Sequence, residues 1–355
     1  MRLLLLPFSW LYGLVIRIRN LAFDLGVFSQ DAFAVPLIVV GNLSVGGTGK
    51  SPLVQYLARF LSQKYRVAIL SRGYGRHSRG FRWVEKSSTA GEVGDEPLQY
   101  AFTLENVRIA VCERRAEGIR RLLSEHPAPQ VILLDDAFQH RRVKPGFSIL
   151  LTEYSRPFTR DFLLPAGRLR EPVQAKKRAD AMVLSKCPSV LEEAEISLLR
   201  EEIAPAPAQS LHFSYIQYRD HLEGLYTGAL SLSDLSTTAV LLFCGIANPE
   251  PLAAFLRQHC VALEMKRFKD HHPFSVADVL GLKSKFQGLQ QAGRPSVLVT
   301  TRKDAMRLLS AEMRQHLAGL PVFVIDIETA FHKGSGDALE TRVQTYLDAA
   351  FRANG

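Results

Sequence analysis

The chain has 355 residues, with 47% apolar and 9% aromatic side chains and a formal net charge of +9. That composition excludes a disordered or low-complexity chain and supplies ample core for two domains or one large one. The charge points to an acidic partner such as a phosphate-bearing substrate or an anionic surface, or to a basic surface kept for solubility.

The first element is unusual. From Leu3 to Ile16 there is no charged residue, and Pro7 and Gly13 interrupt the run. It is short for a membrane span. Ala32-Phe33-Ala34 resembles a cleavage site, but Arg17, Arg19 and Asp24 follow the apolar run. Leu11, Leu14, Val15, Ile18, Leu21 and Leu25 recur at helical spacing, opposite Ser9, Gly13, Arg17, Asn20 and Asp24. The spacing predicts an amphipathic helix that either lies in a membrane interface or packs on its own domain.

Next comes a strand over Leu37 to Val40, then a glycine loop, then Leu53, Leu57, Phe60 and Leu61 at helical spacing. The loop contains Ser44-Val45-Gly46-Gly47-Thr48-Gly49-Lys50-Ser51. Strand, glycine loop and helix are the setting of a P-loop. Backbone amides of such a loop cradle phosphate oxygens, the lysine reaches the β- and γ-phosphates, and the hydroxyl of Ser51 can ligate Mg²⁺. Ser44 stands where the G-x-x-x-x-G-K-[ST] pattern has its first glycine. The expected ligand is ATP or GTP with Mg²⁺.

Further strands are expected at Val67 to Leu70, Val107 to Val111, Val131 to Leu134, Phe147 to Leu151 and Ala181 to Leu184, with helical patterns between them. This is a doubly wound parallel α/β sheet of the P-loop NTPase type, whose ligands gather at strand C-terminal ends. Asp135 and Asp136 end the apolar run 131–134, where a metal-holding carboxylate is needed. Arg72 and Arg76 lie at another strand end, and His140 and Arg141 follow the aspartate pair. All four are expected anion or substrate contacts, or else surface groups. Asp95 lies in a connection that could approach the site and act as a general base.

Ala204-Pro205-Ala206-Pro207-Ala208 is the clearest break. Beyond it Leu211, Phe213 and Tyr215 alternate with polar residues as a strand. Strands follow at Val240 to Phe243, Ser296 to Thr300 and Val322 to Ile325. The expected organisation is an interface helix over 1–30, a P-loop domain over 31–208 and a smaller C-terminal α/β domain with a linker strand over 209–355. Arg302 and Lys303 at a strand end are expected either on a phosphate or at the surface. Cys112, Cys187, Cys244 and Cys260 match no zinc spacing and are expected as reduced thiols.

The segments GNLSVGGTGKSP, LSRGYGR, GDEP, LLDDAFQHRR, LLPAGRLREP, FCGIANP, FKDHH and TTRKDAMRL occur in that order. In this the chain resembles the tetraacyldisaccharide 4'-kinases, the lipid A 4'-kinases of Gram-negative bacteria. The resemblance runs from the first helix to beyond Arg307. It implies transfer of the γ-phosphate of ATP to the 4'-hydroxyl of tetraacyldisaccharide 1-phosphate, by a peripheral protein at the cytoplasmic face of the inner membrane. It also implies two domains joined by a two-stranded linker. Asp95 is then the general base. His271 is its partner, in preference to His272, and either raises its basicity or orients it. Ser51, Ala137 and Ala247 differ from the residues most frequent in the family. The alternative reading is a membrane-associated P-loop switch ATPase, but Val45 stands where that class carries a lysine. No N-K-x-D guanine motif is present, and no motif points to nucleic acid.

Overall fold

The computed structural model describes residues 2–226, 228–291 and 293–354. In chain order, the N-terminal lobe contains α1 (Arg2–Asp24), β1 (Leu37–Asn42), α2 (Lys50–Ser62), β2 (Val67–Ser71), β3 (Arg82–Trp83), α3 (Ala90–Val93) and α4 (Asp95–Thr103). There follow β4 (Val107–Val111), α5 (Arg115–Leu123), β5 (Val131–Asp135), β6 (Phe147–Glu153), β7 (Ala181–Ser185) and α6 (Glu193–Ile203). The long β8 (Ser210–Gly224) leads into β9 (Ala229–Ser231), β10 (Ala239–Cys244), α7 (Glu250–Arg257), β11 (Ala262–Arg267), α8 (Val276–Gln291) and β12 (Ser296–Thr301). The chain ends with α9 (Arg302–Ala305), α10 (Ala311–Leu317), β13 (Val322–Phe331) and α11 (Ser335–Asn354).

The strands form one continuous sheet, ordered β11, β10, β12, β13, β8, β7, β6, β1, β5, β2, β4, β3, with β9 paired to β8. Pairing is parallel except at β13–β8, β8–β9 and β3–β4. The central strands β1, β2, β5 and β7 are buried at every position because helices cover both faces, and they are apolar up to their C-terminal ends. In β1, Ile38 and Val40 pack with α2 on one face, while Leu37 and Val39 pack with Ile119 and Ile203 on the other. In β10, Val240 and Leu242 meet Leu252 and Leu256 of α7, and Leu241 and Phe243 meet Leu282 and Phe286 of α8.

The expected strands are present, and β8 with β13 forms a two-stranded connection between the lobes. α11 lies within the expected C-terminal unit of 209–355 but packs on the first lobe: Leu339, Val343 and Leu347 are fully buried with Val54 and Leu57 of α2. Tyr346 accepts a hydrogen bond from the Leu37 amide (3.1 Å), and Tyr56 donates to Glu340 (2.6 Å). The four cysteines are free thiols, and all but Cys260 are buried.

α1 is seated by its polar side. Ser9 donates to the Leu163 carbonyl (2.9 Å) and accepts from the Ala166 amide (3.0 Å). Tyr12 donates to the Arg170 carbonyl (2.9 Å), and Gly13 meets Leu163 so closely that a Cβ there would lie 2.6 Å from its Cδ1. Arg19 donates to the Gln139 carbonyl (2.9 Å). The apolar stripe faces outward: Phe8, Trp10, Leu11, Leu14, Val15, Ile18 and Leu21 are each at least 54% exposed. Among the described residues no helix is long and apolar enough to cross a membrane.

Candidate active site

The glycine loop leaves β1 at the centre of the sheet. Val40 pairs with Asp135 of β5, so the loop and that carboxylate emerge at one level. Gly46 and Gly49 have φ of +105° and +80°, a region that favours glycine. The loop is braced from outside. Asn42 Nδ2 donates to Thr48 Oγ1 (2.7 Å), Ser185 Oγ donates to the Thr48 carbonyl (2.8 Å), and the Val45 amide donates to the Arg168 carbonyl (2.8 Å). Among the described residues the amides of Gly46, Gly47 and Gly49 have no acceptor. These N–H groups, with the N-terminus of α2, form an anion cradle. Ser44 and Val45 differ from them: Ser44 bridges to Leu169 and the Val45 amide is already engaged, so both act as struts of the loop.

Lys50 Nζ lies 3.7 Å from Asp136 Oδ1, and Arg170 bonds the same carboxylate (2.9 Å). Burial alone would raise Asp136, but the charges of Lys50 and Arg170 hold its carboxyl down at about 2. Asp135 is in the opposite condition. Burial first, then the charges of Glu96 and Asp136, push its carboxyl up to about 7. Oδ2 accepts from Ser71 (3.1 Å) and Tyr100 (3.2 Å), while Oδ1 is buried with no hydrogen-bond partner among the described residues. An orphaned, fully buried carboxylate oxygen beside a phosphate cradle is a site for a cation.

α4 connects this centre to the other lobe. Tyr100, within α4, holds Asp135, and Asp95, at its first position, meets the C-terminal lobe. His271 Nδ1 is 3.0 Å from Asp95 Oδ2, and Arg307 bonds the same oxygen. Lys303 Nζ is 3.0 Å from His271 Nε2. Burial would raise Asp95, but the His271 hydrogen bond and the charges of Lys303 and Arg307 hold its carboxyl far below the ordinary range. This pairing therefore orients Asp95 and lowers its basicity. His272 faces elsewhere, stacked on Phe268 and bonded to Asp278 (3.0 Å).

The expected substrate contacts are not brought together. Arg72 is exposed beside the site and makes no ion pair among the described residues. Arg76 is folded away onto Glu113 and the Gly80 carbonyl. Arg141 bonds Asp24 (2.6 Å) and the Asn20 carbonyl (2.8 Å), and so holds α1. Burial, then the charges of Arg115 and Arg72, lower His140 to about 4, so near neutral pH it is an uncharged ring. Arg302 is bound by Asp326 (2.9 Å) and Glu223 at the β8–β13 connection, so its guanidinium is already neutralised there. Sequence reading missed Arg115, a buried guanidinium that donates to the Asp135 carbonyl (3.0 Å), and Arg170, Glu96 and Tyr100. Helical spacing alone could have placed Tyr100 one turn beyond Glu96.

A P-loop beside a strand-end aspartate, faced by a carboxylate held from a second lobe, defines a P-loop phosphotransferase. Residues 1–347 match the family described as Tetraacyldisaccharide-1-P 4'-kinase, and the chain belongs to that family. It is 44% identical to the tetraacyldisaccharide 4'-kinase of Bacteroides thetaiotaomicron, over 90% of this chain and 87% of that one. It is 42% identical to the enzyme of that name from Flavobacterium johnsoniae, over 91% and 92% of the two chains. Among solved structures it is similar to LpxK of Aquifex aeolicus in complex with ATP, with a TM-score of 0.75 and 29% identity, covering 98% of this chain and 99% of that chain.

Proposed function

We propose that this chain transfers the γ-phosphate of ATP to the 4'-hydroxyl of tetraacyldisaccharide 1-phosphate, a step of lipid A biosynthesis. Family membership supports the reaction. The observation that carries the mechanism is α4, which holds Asp95 at its start and the Tyr100–Asp135 bond further along. One rigid element thus links the acceptor side of the reaction to the phosphate side.

The 4'-hydroxyl oxygen attacks the γ-phosphorus. The bond from that phosphorus to the bridging oxygen breaks, and ADP leaves with the electron pair. The hydroxyl proton passes to Asp95. Phosphoryl transfer depends on positioning and charge neutralisation more than on a strong base, so an acidic Asp95 suffices. Lys50 exchanges its present contact with Asp136 for the phosphates. The free amides of Gly46, Gly47 and Gly49 hold them, with Thr48 and Ser51 completing the loop. Asp135, Asp136 and the Ser51 hydroxyl are the residues that would hold Mg²⁺, and the orphaned Asp135 oxygen fits that role. Bound there, the ion would neutralise phosphate charge. Arg72 is free to meet an anionic group of the substrate.

The outward apolar stripe of α1 supports peripheral attachment to a bilayer. The basic net charge suits the anionic cytoplasmic leaflet of an inner membrane. The lipid substrate would then approach from the α1 side.

The test is transfer from labelled ATP to tetraacyldisaccharide 1-phosphate in detergent. Wild type should yield the bis-phosphorylated lipid. Asp95→Ala should fall by roughly 10²–10⁴-fold, and Lys50→Ala should fall at least as far. No transfer by a folded, ATP-binding wild type would overturn the proposal in favour of the switch ATPase.

A further inference from the structure

Lys303 lies outside the hydrogen-bonded pair that the proposed mechanism uses, yet it decides where that pair's hydrogen sits. Its ammonium is held between carboxylates, 3.7 Å from Glu96 and 3.9 Å from Asp270. The backbone beneath it is fixed by Asp304, which is fully buried. Asp304 accepts from the Gly245 amide (3.1 Å) and from Thr301 Oγ1 (2.7 Å), and Arg307 reaches back to it (3.0 Å).

An ammonium has donors and no acceptor, and a carboxylate has acceptors and no donor. Lys303 at 3.0 Å therefore requires an acceptor at His271 Nε2, and Asp95 at 3.0 Å requires a donor at Nδ1. Only the neutral ring with hydrogen on Nδ1 satisfies both. The other tautomer would set donor against donor and acceptor against acceptor. In its favour are a long 3.5 Å approach from Arg307 and the Asp270 carboxylate, which at 4.0 Å from Nε2 is beyond hydrogen-bond reach. A doubly protonated ring would face the ammonium with an N–H. Asp95 Oδ2 then accepts from His271 and from Arg307, which fills both of its lone pairs. Among the described residues Oδ1 accepts only the Glu96 amide (3.0 Å) and keeps one lone pair.

We propose that Lys303 is a positioning residue: by donating to His271 Nε2 it pins the ring hydrogen on Nδ1, saturates Asp95 Oδ2 together with Arg307, and leaves Oδ1 to take the acceptor hydroxyl's proton. The catalytic part of this rests on the kinase reading above. His271 is thereby a donor to the base and not a second proton acceptor. α9 delivers Lys303, and the turn after it delivers Arg307, so docking of the C-terminal lobe sets the base.

The experiment is long-range ¹H–¹⁵N correlation on the full chain labelled at histidine nitrogens, without nucleotide or lipid, with His271 assigned by its loss in His271→Gln. Wild type should show a protonated Nδ1 and an unprotonated Nε2. Lys303→Met should lose that bias and lower kcat roughly 10–100-fold, with the KM for ATP within about twofold, as expected for a misplaced group. Lys303→Arg keeps a donor and should restore both the spectrum and most of kcat. A wild-type ring protonated at Nε2 overturns the proposal, whatever the variants do. So does a Lys303→Met protein that keeps the wild-type spectrum and kcat. Because the spectrum is read without substrate, a correct tautomer in a protein that phosphorylates no lipid would overturn the kinase reading and leave the placement of the hydrogen standing.

Discussion

α1 and α11 are the terminal helices, of 23 and 20 residues, and each carries an apolar stripe at helical spacing. α11 lays Leu339, Val343 and Leu347 into the core beside α2. α1 does the reverse. It seats Ser9, Tyr12, Gly13 and Arg19 on the protein and leaves Leu11, Leu14, Val15 and Ile18 outward. Periodicity shows that a helix has two faces, but it does not show which one the protein takes. The small and hydrogen-bonding residues decided it. Ser9 joins the Gly167 amide on the Leu163 carbonyl and accepts from the Ala166 amide, and Gly13 lets the helix approach Leu163.

The contrast can be broken most severely in α11. Leu347→Ala should cost about 2–5 kcal/mol of stability through a cavity, read as a shift of the denaturant midpoint. The corresponding test of α1 replaces Phe8, Leu11, Leu14 and Ile18 together by serine. Because these side chains are already in solvent, each should change stability by no more than about 0.5 kcal/mol. Binding to anionic vesicles should nonetheless fall at least ~100-fold, since each buried methylene is worth about 0.8 kcal/mol. Equal losses of stability in the two helices would remove the distinction. Gly13→Leu tests the seat itself: the clash with Leu163 should cost about 1–3 kcal/mol, with faster amide exchange in α1 and none in α11. The smallest effect is a pH dependence. His140, between the α1-binding residues Gln139 and Arg141, is lowered by burial from 6.5 to about 4. The unfolded chain takes up its proton first, so stability should be lost as pH falls through that window. Thermal melts of His140→Gln should lack this part of the slope.

Much of the fold was legible because it is local. The loop from Ser44 to Ser51 and the run ending in Asp135 each declare themselves within one strand and its turn. β11 did not, because Glu264, Lys266 and Arg267 on an exposed edge strand break any apolar pattern. β3 and β9 are too short to leave one. Lys303 is visible in the sequence only as a charge at a strand end, and Arg307 only as part of the TTRKDAMRL segment. Their role depends on Asp95, more than 200 residues from Arg307 in sequence. Arg302, adjacent to Lys303, points to the β8–β13 connection instead. Nothing in the sequence separates these neighbours, since the turn of α9 alone sends them apart.

The return of α11 onto the first lobe has a consequence for how the chain is made. The α11 partners of Val54 and Leu57 are synthesised about 280 residues after them. At ordinary rates of synthesis the P-loop lobe waits on the order of tens of seconds for them. During that time the surface of α2 that α11 covers is open to chaperones and proteases. A nascent chain arrested at residue 334 should be cleaved faster within α2 than the released protein. Equal cleavage would mean that the lobe closes without α11.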